Sequence, residues 1–341
     1  MTIEHGGKLH EACLRYGGEP AMWIDLSTGI NPTSWEVPTV PQTVWHRLPE
    51  NNSALETQAS RYYGIDVSQL LAVPGSQFAI ERVPHIVQAG PVAIPQPGYA
   101  EHGPAWSRAG HPLVHYRSLE ELQTLVHAGK ILHAVVINPN NPSCEHYPRE
   151  RLLEIARLLT DQGGLLLVDE AFIDTQPQAS LCGHDTAHAI VVLRSIGKFF
   201  GLAGLRLGFV MSSSPILSQL AELMPPWAVS HPARWIGEHA LADHDWQQSQ
   251  RSALPLASAA WCAFLAERFP QCELARTDFF VSLYGDEDFC VRLYEGLAKR
   301  QVLARQLKTV EGRGMLRLGL PATSRLNDVK RVLSELPQEL A

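Results

Sequence analysis

Between about residue 50 and residue 215 the chain alternates short, unbroken apolar runs with amphipathic stretches. The runs are Leu70 to Val73, Val92 to Ile94, Ala134 to Ile137, Leu165 to Val168, Ile190 to Leu193 and Leu207 to Met211. They have the length of strands and lack the apolar–polar alternation of a strand with one face in water. They therefore predict a mostly parallel sheet covered on both faces by helices. Ser53-Ala54-Leu55-Glu56 and Ser118-Leu119-Glu120-Glu121 fit capping boxes that open two such helices. Pro225-Pro226 breaks the pattern, and longer helical segments lead to a final strand around Met315 to Gly319 and a terminal helix from about Leu326. The expected architecture is α/β: a large domain over 41–224, a smaller α/β domain over 225–341, and an N-terminal segment, 1–40, that packs with the smaller domain.

Composition narrows the function classes. The chain has 341 residues, 45% hydrophobic and 18% charged, which is ordinary for a globular protein large enough for two domains. A net charge of -7, with no basic run longer than a pair, argues against nucleic acid or an anionic membrane as partner. The N-terminus has no basic segment followed by an apolar core, so no signal peptide is expected, and no uncharged apolar stretch approaches the roughly 20 residues of a membrane span. Six scattered cysteines without a C-x-x-C pair fit reduced thiols in the cytoplasm. His184 and His188 lie in a polar loop without a third ligand nearby in sequence and read as solvated side chains, so no metal is expected.

Ligands on open α/β sheets gather beyond the carboxyl ends of the strands. The residues that follow those ends here are Gly75-Ser76-Gln77, Tyr99, Asn141, Asp169 and Ser195 to Lys198, with Arg206 close behind. A lysine able to form a Schiff base, a carboxylate able to hold a pyridinium N–H, and hydroxyl and guanidinium groups able to hold a phosphate are the minimal parts of a pyridoxal 5'-phosphate site. Lys198, just past an apolar strand, would have its amine partly desolvated and made nucleophilic. Asp169 ends Leu165-Leu166-Leu167-Val168, so its carboxylate is buried and needs a cation, either a pyridinium or a protein arginine. Gly75-Ser76-Gln77 lies between a strand and a helix, where free N–H groups attract phosphate, and Ser195 and Arg206 add a hydroxyl and a bidentate fork. Tyr99 offers a ring to stack on the cofactor, or simply closes a loop onto the core. Asn141 is placed to donate to a ring oxygen, or to form an Asn-Pro turn.

The set Asn138-Pro139-Asn140-Asn141-Pro142, Asp169-Glu170-Ala171-Phe172, Ser195-Ile196-Gly197-Lys198 and Gly204-Leu205-Arg206-Leu207-Gly208 resembles the fold-type I pyridoxal phosphate enzymes of the aspartate aminotransferase superfamily, within them the histidinol-phosphate aminotransferase branch. His5-Gly6-Gly7, Asp25-Leu26-Ser27-Thr28-Gly29-Ile30-Asn31-Pro32 and Leu193-Arg194-Ser195 are similar to the cobalamin-pathway L-threonine O-3-phosphate decarboxylases of that branch. The resemblance implies cofactor attachment at Lys198, the pyridinium on Asp169, O3' on Asn141, stacking on Tyr99, and cofactor phosphate on Ser76, Gln77, Ser195 and Arg206. It further implies a substrate carboxylate on Arg317, a substrate phosphate on Arg305, and His5, Gly7 and Asn31 beside that phosphate. The implied reaction is decarboxylation of L-threonine O-3-phosphate, with a histidinol-phosphate type of transamination as the alternative, in a homodimer; Trp23, Trp35 and Trp45 permit an interface and equally an ordinary core.

Three positions depart from the family pattern. Phe172 replaces a tyrosine that hydrogen-bonds O3', Gly197 replaces a phosphate-binding serine, and Leu48 replaces a tyrosine that reaches the partner subunit's cofactor phosphate. Weaker cofactor binding is the expected consequence.

Overall fold

The computed structural model describes residues 5–50, 54–184, 189–213, 215–308 and 313–336. The chain forms two compact units, one of Met1–Thr33, Pro142–Cys144 and Gln250–Ala341, the other of Ser34–Asn141 and Glu145–Ser249.

The larger unit is built on seven strands: β1 (Leu70–Val73), β2 (Val92–Pro95), β3 (Leu113–Tyr116), β4 (His133–Ile137), β5 (Leu165–Asp169), β6 (Ile190–Ser195) and β7 (Gly208–Met211). Their order is β1-β7-β6-β5-β4-β2-β3. Strands β3, β2, β4, β5 and β6 are parallel, whereas β7 runs against both β6 and β1. Because β7 reverses twice, β1 points the same way as β6, and Gly75-Ser76 leaves the sheet at the edge where Asp169 and Ser195 end. All residues of β4 and β5 are buried, as continuous apolar runs demand. Strand β3 escaped the sequence pattern because it is an edge strand whose exposed His115 interrupts the apolar run. The expected break at Pro225-Pro226 falls inside this unit: helix His231–Ala242 packs on helix Ala54–Tyr63, and Arg234 is ion-paired with Glu56, both buried. Ser118 caps its helix as expected, accepting from the Glu121 N–H at 3.2 Å; Ser53 lies outside the described residues.

The smaller unit carries an antiparallel sheet of β8 (Glu273–Arg276), β9 (Phe280–Asp286), β10 (Arg305–Lys308) and β11 (Arg313–Gly319), ordered β10-β11-β9-β8. A short parallel pair, Ile24–Asp25 with Val302–Leu303, ties the N-terminal segment into it. Trp23 is buried here against Ala12, Ala298 and Leu303. Helix Leu326–Ser334 is the last element among the described residues, where a helix from about Leu326 was anticipated.

No helix among the described residues is long and apolar enough to cross a membrane, and no group of three potential metal ligands occurs among them. His184 contacts Arg149 at 3.1 Å, and His188 lies outside the described residues.

Burial makes the larger unit sensitive to acid. His133 is 1% exposed, and its Nε2 lies 2.7 Å from the Gln88 carbonyl. Burial, and secondarily the nearby His111, lower its pKa. A histidine with a depressed folded pKa contributes stability above its unfolded value that is lost as pH falls through the folded value. The Tm should therefore fall between pH 7 and pH 5, and His133→Gln, which keeps a donor for the carbonyl, should flatten that slope in a thermal-melt series. An unchanged slope would remove His133 from the account.

Candidate active site

At the carboxyl edge of the larger sheet Asp169 is the last residue of β5 and is 4% exposed. Its Oδ1 accepts from the Ala171 N–H at 3.1 Å, and its Oδ2 lies 3.1 Å from Nε2 of His102. A carboxylate only accepts, so the ring proton sits on Nε2. His102 is fully buried, and the sequence reading missed it. The available signal was its position three residues after Tyr99, one turn into the same loop-to-helix segment. The Tyr99 and His102 rings meet edge to face with centroids 6.0 Å apart, and the Tyr99 hydroxyl donates to Gln77 Oε1 at 3.4 Å. Two bonds converge on the segment bearing Asn141: Asn138 N–H donates to the Asp169 carbonyl at 2.9 Å, and Asn140 Nδ2 donates to the Pro97 carbonyl at 2.9 Å. Asn141 itself is half-buried.

Strand register assembles a second corner. Gly208 is paired with Ser195 on one side and with Val73 on the other, so Ser195 and the Gly75-Ser76 turn flank the start of β7. Gly75 has φ +75°, and a Cβ there would lie 2.6 Å from Nη2 of Arg206; a Cβ at Gly208 would lie 2.6 Å from the Ser76 nitrogen. Both positions need glycine, and the turn presents bare backbone beside a guanidinium. Ser195 caps the short helix Ile196–Phe199, its Oγ accepting from Gly197 N–H at 3.2 Å. Lys198, on that helix, is half-buried with Nζ 5.7 Å from the Phe172 ring centroid. The Gln77 carboxamide donates to Glu81 Oε1 at 3.1 Å while accepting from Tyr99.

This donor set fits pyridoxal 5'-phosphate on its own chemistry. A buried carboxylate braced by an imidazole N–H has lone pairs left for a charged N–H. An exposed arginine beside side-chain-free backbone and a serine hydroxyl suits a dianion. A half-buried lysine lies in the segment that follows that serine.

The expected substrate residues lie in the smaller unit. In register, Arg305 of β10 stands opposite Arg317 of β11, so the two guanidinium side chains leave the same face of the sheet. Like charges directly opposed destabilise a sheet unless an anion lies between them. Arg317 is 8% exposed, donates from Nη2 to the Ser27 carbonyl at 2.5 Å, and lies over Phe280 at 5.1 Å. A cavity of about 230 Å³ is lined by His5, Gly6, Lys8, Ser27 and Arg305 among others. Gly7 adjoins it through its N–H, which donates to Ser27 Oγ at 2.7 Å. Ser27 and Lys8 are therefore members of this neighbourhood that the sequence reading did not single out. Asn31 lines a different cavity, of about 290 Å³, with Asp25, Thr28 and Arg325; it donates to Gln250 at 3.1 Å and accepts from the Thr33 N–H at 2.9 Å. The structure does not bring Asn31 to the cavity of His5 and Arg305.

Residues 23–336 match the family described as aminotransferase class I and II. The chain is 41% identical over 320 residues to the threonine-phosphate decarboxylase of Pseudomonas aeruginosa, covering 94% of this chain and 93% of that protein. It is 44% identical over 240 residues to a threonine-phosphate decarboxylase of a Sinorhizobium species, covering 69% and 71%. Its fold is that of the histidinol-phosphate aminotransferase from Sinorhizobium meliloti in complex with pyridoxal-5'-phosphate, with a TM-score of 0.83, 17% identity, and coverage of 100% and 95%.

Proposed function

The chain belongs to the aminotransferase class I and II family, and from that premise we propose that it is a pyridoxal phosphate enzyme that decarboxylates L-threonine O-3-phosphate to (R)-1-amino-2-propanol O-2-phosphate in cobalamin biosynthesis. The observation that carries the reading is the facing pair Arg305 and Arg317: two cations side by side suit a substrate with two anionic groups, a phosphate and a carboxylate. The 41% identical Pseudomonas decarboxylase, matched along nearly its whole length, supports the same reaction.

The bound cofactor supplies an electron sink for the pair released when a bond to the substrate Cα breaks. Asp169, braced by His102, would keep its ring nitrogen protonated. Tyr99 would lie against its ring face, Asn141 would donate to its ring oxygen, and the Gly75-Ser76-Gln77 turn, Ser195 and Arg206 would hold its phosphate. Lys198 would form the covalent link and return a proton to Cα once carbon dioxide has left. Arg305, with His5 and Gly7 beside it, would hold the substrate phosphate, and Arg317 the carboxylate. A grip on both anionic groups would select which bond to the substrate Cα breaks. Asn31 would act at one remove, keeping the 25–33 loop in shape through Thr33 and Gln250.

Arg305→Ala tests the assignment. Losing one charge-assisted hydrogen-bonding group of about 1.5–3 kcal/mol predicts a KM for L-threonine O-3-phosphate raised roughly 10- to 150-fold, with cofactor retention unchanged. Release of the cofactor with KM unaltered would contradict the division of roles.

A homodimer fits the exposed apolar side chains of the larger unit: Trp45, Leu48 and Trp227 are 58%, 62% and 60% exposed. Trp35, by contrast, is buried, its indole N–H bonded to Asp243 at 2.9 Å. A cytoplasmic setting fits thiols that burial keeps protonated and inert, Cys182 and Cys290 pushed up to about 12 and Cys272 to about 11.

A further inference from the structure

Successive residues of a strand point to opposite faces, so Arg194 leaves β6 on the face away from Ser195. There it is 2% exposed within a cluster that the proposed chemistry does not use. Its Nη2 donates to Asp174 Oδ1 at 2.5 Å, and its Nη1 donates to Ser180 Oγ at 3.2 Å and Glu170 Oε2 at 3.4 Å. Glu170 also accepts from the Ser180 hydroxyl at 2.5 Å and the Leu181 N–H at 2.7 Å. The Tyr62 hydroxyl donates to Asp174 Oδ1 at 2.9 Å, and the Tyr63 ring lies 4.7 Å from the guanidinium carbon. Glu170 and Asp174 are 0% and 1% exposed, and Arg194 pairs with both of these buried carboxylates. Burial raises the Glu170 pKa despite Arg194 beside it.

Beside Tyr62 and Tyr63 of helix Ala54–Tyr63, the cluster joins two further segments of chain. Glu170 follows Asp169 directly, and Asp174 and Ser180 belong to the loop that begins with Ala171 and Phe172. Arg194 precedes Ser195 and lies four residues before Lys198. On the reading that the larger unit holds pyridoxal phosphate, Asp169 and Lys198 engage opposite ends of one flat ring, the nitrogen and the carbon para to it. The spacing of their two strand ends then matters to a fraction of an ångström.

We propose that Arg194 is a positioning residue: its fork, shared between Glu170 and Asp174 on the reverse face, fixes the strand end of Lys198 against that of Asp169. A planar guanidinium bridges two carboxylates, whereas an ammonium of the same charge satisfies them without fixed geometry. Arg194→Lys therefore keeps the charge and removes the device.

The test compares parent chain, Arg194→Lys and Tyr62→Phe, each with and without cofactor. In the cofactor-free proteins, hydrogen exchange is read over 169–182 and 195–198. In the loaded proteins, kcat, KM and the pH titration of the cofactor absorbance are read. A displacement of about an ångström costs on the order of a hundredfold in rate. Arg194→Lys should therefore lower kcat at least tenfold with KM within twofold, shift the absorbance titration, and speed exchange in both segments together. A folded Arg194→Lys with parental kcat and titration would overturn the proposal and leave the cluster as a stabilising ion pair. If Arg194→Lys does not fold, Tyr62→Phe decides: faster exchange in both segments with a shifted titration supports the tie, and exchange at the parental rate overturns it. If the parent chain takes up no pyridoxal phosphate, the cofactor reading fails by itself. The exchange comparison then still decides whether Arg194 couples the two strand ends.

Discussion

Lys198→Ala should give a folded protein that turns over more than about a thousandfold more slowly than the parent, because on the proposed assignment one substitution removes both the nucleophile and a proton carrier. The side chain is half-buried on the helix that Ser195 caps, and its Nζ faces the Phe172 ring at 5.7 Å. Its loss opens no cavity in the apolar core, so the fold should survive. Borohydride reduction followed by peptide mass spectrometry checks the cause: the parent should carry a cofactor adduct on residue 198, and the variant should carry none. A variant with parental activity would eliminate the covalent role.

Asp169→Asn should be the next most damaging change, with kcat lowered roughly 10²- to 10³-fold, the usual cost of removing one preorganised electrostatic group. The asparagine oxygen can still accept from Ala171 N–H, so the turn should persist. What is lost is the buried negative charge that would hold a protonated ring nitrogen, and the asparagine NH2 facing His102 Nε2 donates where the carboxylate accepted. Steady-state kinetics with a cofactor-binding titration would measure both effects. A drop in cofactor affinity alone, with kcat intact on saturation, would assign Asp169 to binding rather than to catalysis.

The central strands were legible in the sequence because burial on both faces forces continuous apolar runs, and Leu165–Asp169 is the clearest case. Strand β3 was not, since His115 faces outward at the sheet edge and breaks the pattern. The reversal of β7 left no mark either: a buried strand is equally apolar in either direction, yet its register is what sets Ser195 beside the Gly75 turn. The residues proposed to hold the cofactor could be singled out because they follow strand ends. His102 could not, because a histidine becomes a brace for Asp169 only once a helix brings it back to the sheet. That Asn31 lines a different cavity from His5 and Arg305 was not legible for a related reason: proximity in motif to Ser27 and His5 does not specify which side of the 25–33 loop a side chain faces. The opposition of Arg305 and Arg317, twelve residues apart, is a property of an antiparallel pairing that spacing alone does not reveal. The unit boundary near residue 250, rather than 224, reflects helix His231–Ala242 remaining packed on Ala54–Tyr63, anchored by the buried Arg234–Glu56 pair.

The most direct measurement is incubation of the pyridoxal phosphate-loaded protein with L-threonine O-3-phosphate, with and without 2-oxoglutarate, following carbon dioxide and the amine product by mass spectrometry. The account predicts release of carbon dioxide together with aminopropanol phosphate at a rate independent of the oxoacid. Glutamate formed from 2-oxoglutarate, with no carbon dioxide released, would contradict it and make the chain an aminotransferase of phosphorylated amines.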